Sequence, residues 1–317
     1  MRLPIRLAII GNGGVAKECA RLVTLMDKST CLMQCAILDA TQTISFNDFE
    51  NFCINNEIKY KFSDNINSDE VVNFILSHKI DYIFSINNHQ IFGEWFLRLF
   101  EKKIINFHNG PLPKYGGLNV CTWAIFNGEL EHGVTWHYVA KKIDAGDIIC
   151  SAKFKLEKNI TALQLMMKCI KEGVILFNKL LKDLVDCNLS SRFQAIENRT
   201  YYYNAMTPNN GLIDFSKKCI EIDRLIRSLN YHPLVGMLKA AHSFYRGKIF
   251  HIESAIFINQ ARSSTPGKVI EILPDSFKVK TGDGVISPIK IRNYCYEPIS
   301  TNEFISTYNI KEGCLIE

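Results

Sequence analysis

Apolar positions in the first half of this chain follow two alternating rhythms. Short, mostly apolar runs (RLAII, CLMQCAIL, IDYIFSI, KKIIN) are separated by longer segments in which apolar residues return every three or four positions (VAKECARLVTLM, NDFENFCINN, DEVVNFILSHK, FGEWFLRLF). The first rhythm fits buried strands and the second amphipathic helices. GNGG, directly after RLAII, reads as the turn between the first strand and the first helix. Strands that alternate with helices predict an α/β fold with a largely parallel sheet, covered on both faces and joined by right-handed crossovers. In such sheets ligands bind beyond the carboxyl ends of the strands. Further along, LNVCTWAIFNGE has helical spacing, HGVTWHYV alternates like a strand that leads to a DAGD turn, and residues 160–186 sustain a long helical period that closes a first domain, 1–186. The polar, turn-rich segment that follows reads as a linker, 187–210, ahead of a second domain, 211–317. There is no internal repeat and no low-complexity tract.

Composition agrees with two domains. At 317 residues the chain exceeds what one core usually fills, and 47% hydrophobic residues against 22% charged supply apolar surface for more than one. The balance of 37 Lys+Arg and 32 Asp+Glu leaves only +5. A strongly nucleic-acid-binding surface would show a basic cluster or stripe, so DNA is not an expected partner and tRNA is not favoured. KKCIEIDRLIRS interleaves acids at helical spacing and AKKIDAG is too short, so both read as ordinary surface charge. The 11 cysteines are scattered, with no CxxC and no neighbouring His at ligand spacing, so no metal site is expected. Cys31, on CLMQCAIL, reads as a buried reduced thiol. The odd cysteine count and the lack of a secretory signal favour a cytoplasmic location. No run approaches the roughly 18 apolar residues of a membrane span.

The candidate chemistry lies between residues 106 and 147. KKIIN ends at Asn106, so Asn106 and His108 sit two apart on extended chain and project to one side, within reach of one ligand atom. GPLPKYGG then fixes a rigid non-helical turn, and Asp144 stands in the DAGD turn after HGVTWHYV. An amine that attacks an acyl carbon needs donors at the tetrahedral oxygen and an acceptor for its own proton. Asn106 supplies an amide donor, His108 a ring that donates or titrates near neutral pH, and Asp144 a carboxylate that orients the His or a relay water.

These residues resemble the formyltransferases that use N10-formyltetrahydrofolate. The pattern Asn, one residue, His, a proline loop, then GVT and a DxG turn maps onto Asn106, His108, Leu112, Pro113, Gly133, Val134, Thr135, Asp144 and Gly146. GLIDFSKKCIEIDRLIRSLN (211–230) looks like the start of the C-terminal region of the methionyl-tRNA type, and GKVIEILPDSFKVKTGDGVISPIKI (267–291) like its small β-barrel. The resemblance implies a Rossmann-like catalytic domain followed by a smaller β-barrel-like domain on the acceptor side. It implies Asn106, His108 and Asp144 as the catalytic trio, with formyl transfer to a primary amine and no metal. It places Ile86 and Ile91 beside the folate; Leu112, Pro113 and Asp147 are also expected on the folate side, and Gly11, Gly13 and Tyr115 toward the acceptor. The modest positive charge would suit a folate polyglutamate tail or a phosphorylated carrier arm.

Two departures bear on the acceptor. The tRNA enzymes usually carry an Arg where Tyr115 is here followed by Gly116 and Gly117, and a basic loop where this chain reads DATQTISFNDFENFCINNE, with no Arg or Lys before Lys59. HNGPLPKYGGLN and HGVTWH are closer to formylation domains of nonribosomal peptide synthetases. The expected acceptor is therefore an aminoacyl group on a carrier protein, or another small amine. Methionyl-tRNA and an amino sugar are the alternatives.

Two rival classes stand beside this reading. Gly11, Gly13 and Ala16 fit the dinucleotide fingerprint GxGxxA, and Asp39 ends the second apolar run where a ribose-binding acid belongs, as in an NAD(P)-dependent oxidoreductase. That pattern leaves Asn106, His108 and Asp144 unexplained. The other rival, a binding protein of the same fold without chemistry, is opposed by the complete trio. His132 and His137 flank GVTW; His137 alternates with Thr135 and can face the cleft, but reads first as a satisfied core histidine, and Trp136 as core packing. YHPLVGMLKAAHSFYRGK is apolar enough to pack against its domain or to form an acceptor-docking surface.

Overall fold

The computed structural model describes residues 3–41, 47–203, 206–234, 237–258 and 263–317. Residues 42–46 of the basic-loop equivalent, 204–205 of the linker and 235–236 of the candidate docking segment lie outside the described residues. In chain order the elements are β1 (Ile5–Gly11), α1 (Gly13–Thr24), β2 (Cys31–Asp39), α2 (Asn47–Asn55), β3 (Lys59–Ser63), α3 (Asp69–Ser77), β4 (Tyr82–Ile86), α4 (Glu94–Leu99), β5 (Ile104–His108), β6 (Tyr115–Gly117), α5 (Val120–Phe126), β7 (Glu131–Tyr138), β8 (Ile148–Lys155) and α6 (Ala162–Val185). They continue with β9 (Thr200–Tyr202), α7 (Cys219–Ser228), β10 (His242–Tyr245), β11 (Lys248–Ile258), β12 (Val269–Leu273), β13 (Ser276–Lys280), β14 (Val285–Arg292), β15 (Pro298–Ile299) and α8 (Thr301–Tyr308). Contacts divide the chain into two compact units: 1–117 with 132–154 and 168–201, and 118–131 with 155–167 and 202–317.

The first unit holds a seven-stranded sheet in the order β3-β2-β1-β4-β5-β7-β8. Its pairs from β3 through β5 are parallel, which gives the largely parallel Rossmann-like sheet expected. The apolar runs account for it: Leu7, Ala8, Ile9 and Ile10 in β1, and Ala36, Ile37 and Leu38 in β2, are fully buried. Three features depart from the apolar-run reading. β3 (KYKFS) and β8 (IICSAKFK) lie at the two edges of the sheet, where alternate residues face water, so neither shows a continuous apolar run. β7 runs antiparallel to β5, because the chain between them returns through β6 and α5 without a parallel crossover.

That antiparallel pair sets the two faces of the site. Across it Asn106 lies opposite His137, Phe107 opposite Trp136, and His108 opposite Thr135. Side chains alternate along a strand, so the polar pairs share one face and the aromatic pair takes the other. On the aromatic face Trp136 packs on Phe107 at 5.0 Å and on Phe177 at 5.2 Å, and its ring N–H donates to the Gly173 carbonyl of α6 at 3.0 Å. Trp136 is core packing, as expected. Cys31 and Cys35 are buried free thiols, with burial pushing their pKa values to about 11 and about 12.

The second unit contains a six-stranded antiparallel sheet, β10-β11-β14-β13-β12 with β15 beside β14, curled as a half-barrel. Its core joins Ile222, Leu225 and Ile226 of α7, Phe304 and Tyr308 of α8, and inward residues of the sheet such as Phe250, Phe277 and Ile286. Phe304 stacks on Phe277 at 5.5 Å and packs on Phe250 at 4.7 Å. Among the described residues no helix is long and apolar enough to cross a membrane.

Candidate active site

Four polar side chains from β5, β7 and the turn after β7 converge at the carboxyl end of the parallel strands. The Asn106 amide donates from Nδ2 to His137 Nε2 at 3.1 Å and to the Phe107 carbonyl at 3.2 Å. His137 Nδ1–H donates to the Tyr138 carbonyl at 2.8 Å, so in the neutral ring Nε2 is the acceptor that takes the Asn106 proton. His108 donates from Nε2 to the Tyr115 carbonyl at 2.5 Å, which leaves Nδ1 facing Asp144 Oδ2 at 3.7 Å. The other carboxylate oxygen of Asp144 lies 3.6 Å from His137 Nε2. Asn106, His108 and Asp144 thus meet as the chain reading expected, and His137 joins them. His137 is both buried and satisfied, yet its partner is Asn106. The alternation of His137 with Thr135 was the sequence signal for this, and the β5–β7 register makes it effective.

Asp144 is held by backbone. Its Oδ2 accepts the Gly117 amide at 2.7 Å, its own φ is +52°, and it is 8% exposed. A left-handed φ at a non-glycine residue costs free energy and persists only where surroundings impose it. Here Gly146 lets the turn close on β7, because a side chain at 146 would run into the Tyr138 carbonyl. Gln194 donates to the Gly146 carbonyl at 2.8 Å, and Arg199 donates to the Ile143 carbonyl. Nothing in the sequence marked Gln194 or Arg199, since both lie in the polar segment read as a linker.

His108 and Asp144 each shift the other's pKa. Burial pulls the pKa of His108 down; Asp144 and the Tyr115 carbonyl oppose this, and the net lies below the ordinary imidazole value. Burial pushes the Asp144 carboxyl up, but His108, His137 and the Gly117 amide outweigh it and hold the group well below the usual carboxylate range. At neutral pH the pair is therefore a neutral imidazole beside a carboxylate. A proton gained at Nδ1 would give an imidazolium flanked by the Tyr115 carbonyl and Asp144, both of which favour it.

The remaining expected residues lie around this cluster or along the same sheet edge. Ile86 ends β4, one residue past Ser85, which pairs with Asn106; its side chain is fully buried. Leu112 donates its amide to Thr135 Oγ1 at 3.2 Å and is followed by a cis bond to Pro113. Tyr115 is buried and meets His108 through its carbonyl. The Asp147 carbonyl accepts the Tyr138 amide at 2.9 Å. Ile91 sits on the loop after β4 and is 67% exposed.

Gly11 and Gly13 form the β1–α1 turn with φ of +142° and +79°. A side chain at Gly11 would collide with the Ile86 carbonyl, so that glycine serves the close approach of β4 to the turn. Asp39, the would-be ribose acid, is fully buried and already accepts from the Thr41 amide (3.0 Å), Thr41 Oγ1 (2.6 Å), Gln90 Nε2 (2.8 Å) and the His89 amide (3.0 Å). A carboxylate saturated in this way is not available to a ribose, and the dinucleotide reading loses its second leg.

Residues 38–181 match the formyl transferase family, and residues 205–309 match the formyl transferase C-terminal domain. The chain belongs to the formyl transferase family. It is an enzyme that transfers formyl groups. It is similar to methionyl-tRNA formyltransferase of Clostridium tetani, 29% identical over 248 residues that cover 78% of each chain. It is also similar to that of Caldanaerobacter subterraneus, 30% identical over 228 residues that cover 72% of this formyl transferase and 71% of the relative. Among solved structures, the N-formyltransferase of Helicobacter canadensis, in complex with folinic acid and dTDP-3-aminofucose, shares the fold of this formyl transferase. Its TM-score is 0.68 at 21% identity, over 90% of this chain and 99% of that one.

Proposed function

We propose that this enzyme moves the formyl group of N10-formyltetrahydrofolate to a primary amine, and that Asn106, His108 and Asp144 carry the chemistry. The observation that carries the reading is the placement of His108: Nε2 is committed to the Tyr115 carbonyl and Nδ1 faces the Asp144 carboxylate. The neutral amine adds to the formyl carbon, and the formyl C=O becomes a tetrahedral oxyanion. Neutral His108 takes the proton shed by the amine, directly or through water, and Asp144 stabilises the imidazolium. Asn106 turns one Nδ2–H from the Phe107 carbonyl, the longer of its two bonds, to the oxyanion. Collapse breaks the bond to N10, which takes the proton back, and gives an N-formyl product and tetrahydrofolate. The scheme uses no metal. Ile86, Ile91, Leu112, Pro113 and Asp147 form the folate side, and the Gly11–Gly13 turn and the Tyr115 backbone face the acceptor. The C-terminal domain, from about residue 211 on, is the acceptor side. The free cysteines suit a reducing compartment, and a cytoplasmic location belongs to this reading.

The acceptor we favour is the α-amine of an aminoacyl group on a carrier. The loop HNGPLPKYGGLN and the lack of a basic loop favour a carrier protein, whereas the similarity to methionyl-tRNA formyltransferases favours tRNA as the second reading. The amino-sugar ligand of the Helicobacter enzyme keeps nucleotide-linked amino sugars in the panel. The test is release of tetrahydrofolate from N10-formyltetrahydrofolate with carrier-bound aminoacyl groups, methionyl initiator tRNA and nucleotide-linked amino sugars, each with an Asp144→Ala control. Release that needs a carrier-bound aminoacyl group and Asp144 supports the reading. Release with a sugar alone replaces the acceptor, and release that persists without Asp144 removes the assigned chemistry.

A further inference from the structure

We propose that Arg199 is a positioning residue that sets the distance between Asp144 and His108 by clamping the Asp144 turn to strand β6. This rests on the reading that His108 and Asp144 carry the chemistry.

The segment 192–201 runs past the site and is tied to it at successive points. Ile148 and Arg192 exchange backbone hydrogen bonds at 2.9 and 2.8 Å, Gln194 holds the Gly146 carbonyl, Arg199 holds the Ile143 carbonyl, and the Thr200 amide donates to Lys114 at 3.1 Å. The two side chains grip the peptides on either side of Asp144, a residue whose positive φ would otherwise relax. On its other flank the Arg199 guanidinium fills the space above Gly116. A Cβ added at 116 would lie 2.9 Å from Arg199 Nε, 3.2 Å from Nη2 and 3.3 Å from Tyr201 Cδ2. The guanidinium also lies over the Tyr201 ring, 4.4 Å from its centroid.

Gly116 sits between the two residues of β6 that touch the reacting pair. Tyr115 supplies the carbonyl that takes the His108 Nε2–H, and Gly117 supplies the amide that binds Asp144 Oδ2. Arg199 therefore sits against both walls, the turn that carries Asp144 and the strand that fixes His108. Because catalysis falls steeply when reacting groups shift by about an ångström, loosening this clamp should act on turnover and leave ligand binding largely alone.

The test compares Arg199→Ala, Arg199→Lys, Gly116→Ala and the Arg199→Ala/Gly116→Ala double variant with Asp144→Asn. It uses the full chain and the acceptor on which the wild-type enzyme turns over. Arg199→Ala should lower kcat about 10- to 100-fold with KM for the folate changed less than about 3-fold. Added guanidinium ion should restore part of the loss, as should Arg199→Lys, which keeps a donor for the Ile143 carbonyl. Gly116→Ala should lower kcat by displacing the guanidinium, and the double variant should be no slower than Arg199→Ala, because both changes disturb one contact. A second readout needs no acceptor: NMR titration of the His108 ring. Asp144 raises the pKa of that ring, so displacing Asp144 should move its titration to lower pH in Arg199→Ala and further in Asp144→Asn. Wild-type kcat and an unmoved titration in folded Arg199→Ala would overturn the proposal while inactive Asp144→Asn left the chemistry standing. If Arg199→Ala does not fold, a folded Gly116→Ala enzyme with unchanged kcat and titration overturns it equally. Full activity of Asp144→Asn would instead remove the reading on which the clamp depends.

Discussion

Asp39 and Asp144 are both buried carboxylates at the carboxyl end of the same sheet, and both are held below the usual carboxylate pKa, yet they are built for opposite ends. Around Asp39 burial pushes the pKa up, and donors from Thr41, His89 and Gln90, all within 3.0 Å, more than offset it. Around Asp144, among the described residues, the Gly117 amide lies at hydrogen-bond distance while two imidazoles stand off at 3.6 and 3.7 Å. A saturated carboxylate has no capacity left and locks its loop. A carboxylate with titratable neighbours just beyond bonding range keeps its capacity for a proton or a substrate. Burial and a lowered pKa therefore do not mark a reactive acid by themselves; what matters is what supplies the compensation.

The largest effect should come from exchanging each acid for its amide. Asp144→Asn should lower kcat on the order of 10²-fold or more per folded molecule. Asp39→Asn should keep turnover per folded molecule and lose about 2–3 kcal/mol of stability, since its new N–H groups would face donors. Steady-state kinetics and denaturant melts of both variants check this, and an Asp39→Asn enzyme that is stable but inactive would break the comparison. Next in size, His108→Ala should also cost on the order of 10²-fold, and the double variant with Asp144→Asn little beyond the worse single, as expected of groups that act as a unit. His137→Ala should cost less, about 10-fold, because in the proposed scheme the proton passes to His108 while His137 contacts Asn106.

Acid should separate the two carboxylate sites. The folded pKa of His108 lies below the unfolded value, so its contribution to stability is present above about pH 6.5 and is lost as pH falls through the folded pKa. His242 and His251, also lowered by burial, act with the same sign. Asp39 and Asp144 are likewise depressed, so their contributions are present above about pH 4 and disappear as pH falls through their folded pKa values. Thermal midpoints should therefore decline in two stages, and His108→Gln should soften only the first. kcat/KM should fall on the same side as His108 protonates, and a profile that rises toward acid would show that the imidazolium is the active form. The smallest contrast lies in one turn. Gly11→Ala, forced against the Ile86 carbonyl at positive φ, should cost 3 kcal/mol or more on the order set by buried clashes. Gly14→Ala, with nothing nearby on α1, should gain about 0.5–1 kcal/mol.

Much of the fold was legible because buried strands and amphipathic helices write their burial into local periodicity. Where burial is partial the signal fades, which is why the edge strands β3 and β8 went unread. Asn106, His108 and Asp144 were legible because two of them lie on one strand and the third in a glycine-bearing turn. His137 was visible only as one end of an alternation, and Gln194 and Arg199 lay in a polar stretch with no periodicity at all.

By itself, then, the amino-acid sequence determined the alternation of strands and helices, the same-side projection of Asn106 and His108, and the residue types able to move an acyl group. These follow from backbone geometry over a few residues and need no knowledge of distant partners. Only the tertiary structure decided that His137 faces Asn106, that Asp39 is saturated while Asp144 is not, and that a segment some fifty residues beyond the turn grips Ile143 and Gly146. Hydrogen bonding depends on distances of a few tenths of an ångström between groups far apart in the chain, and strand register and packing set those distances, not composition or spacing.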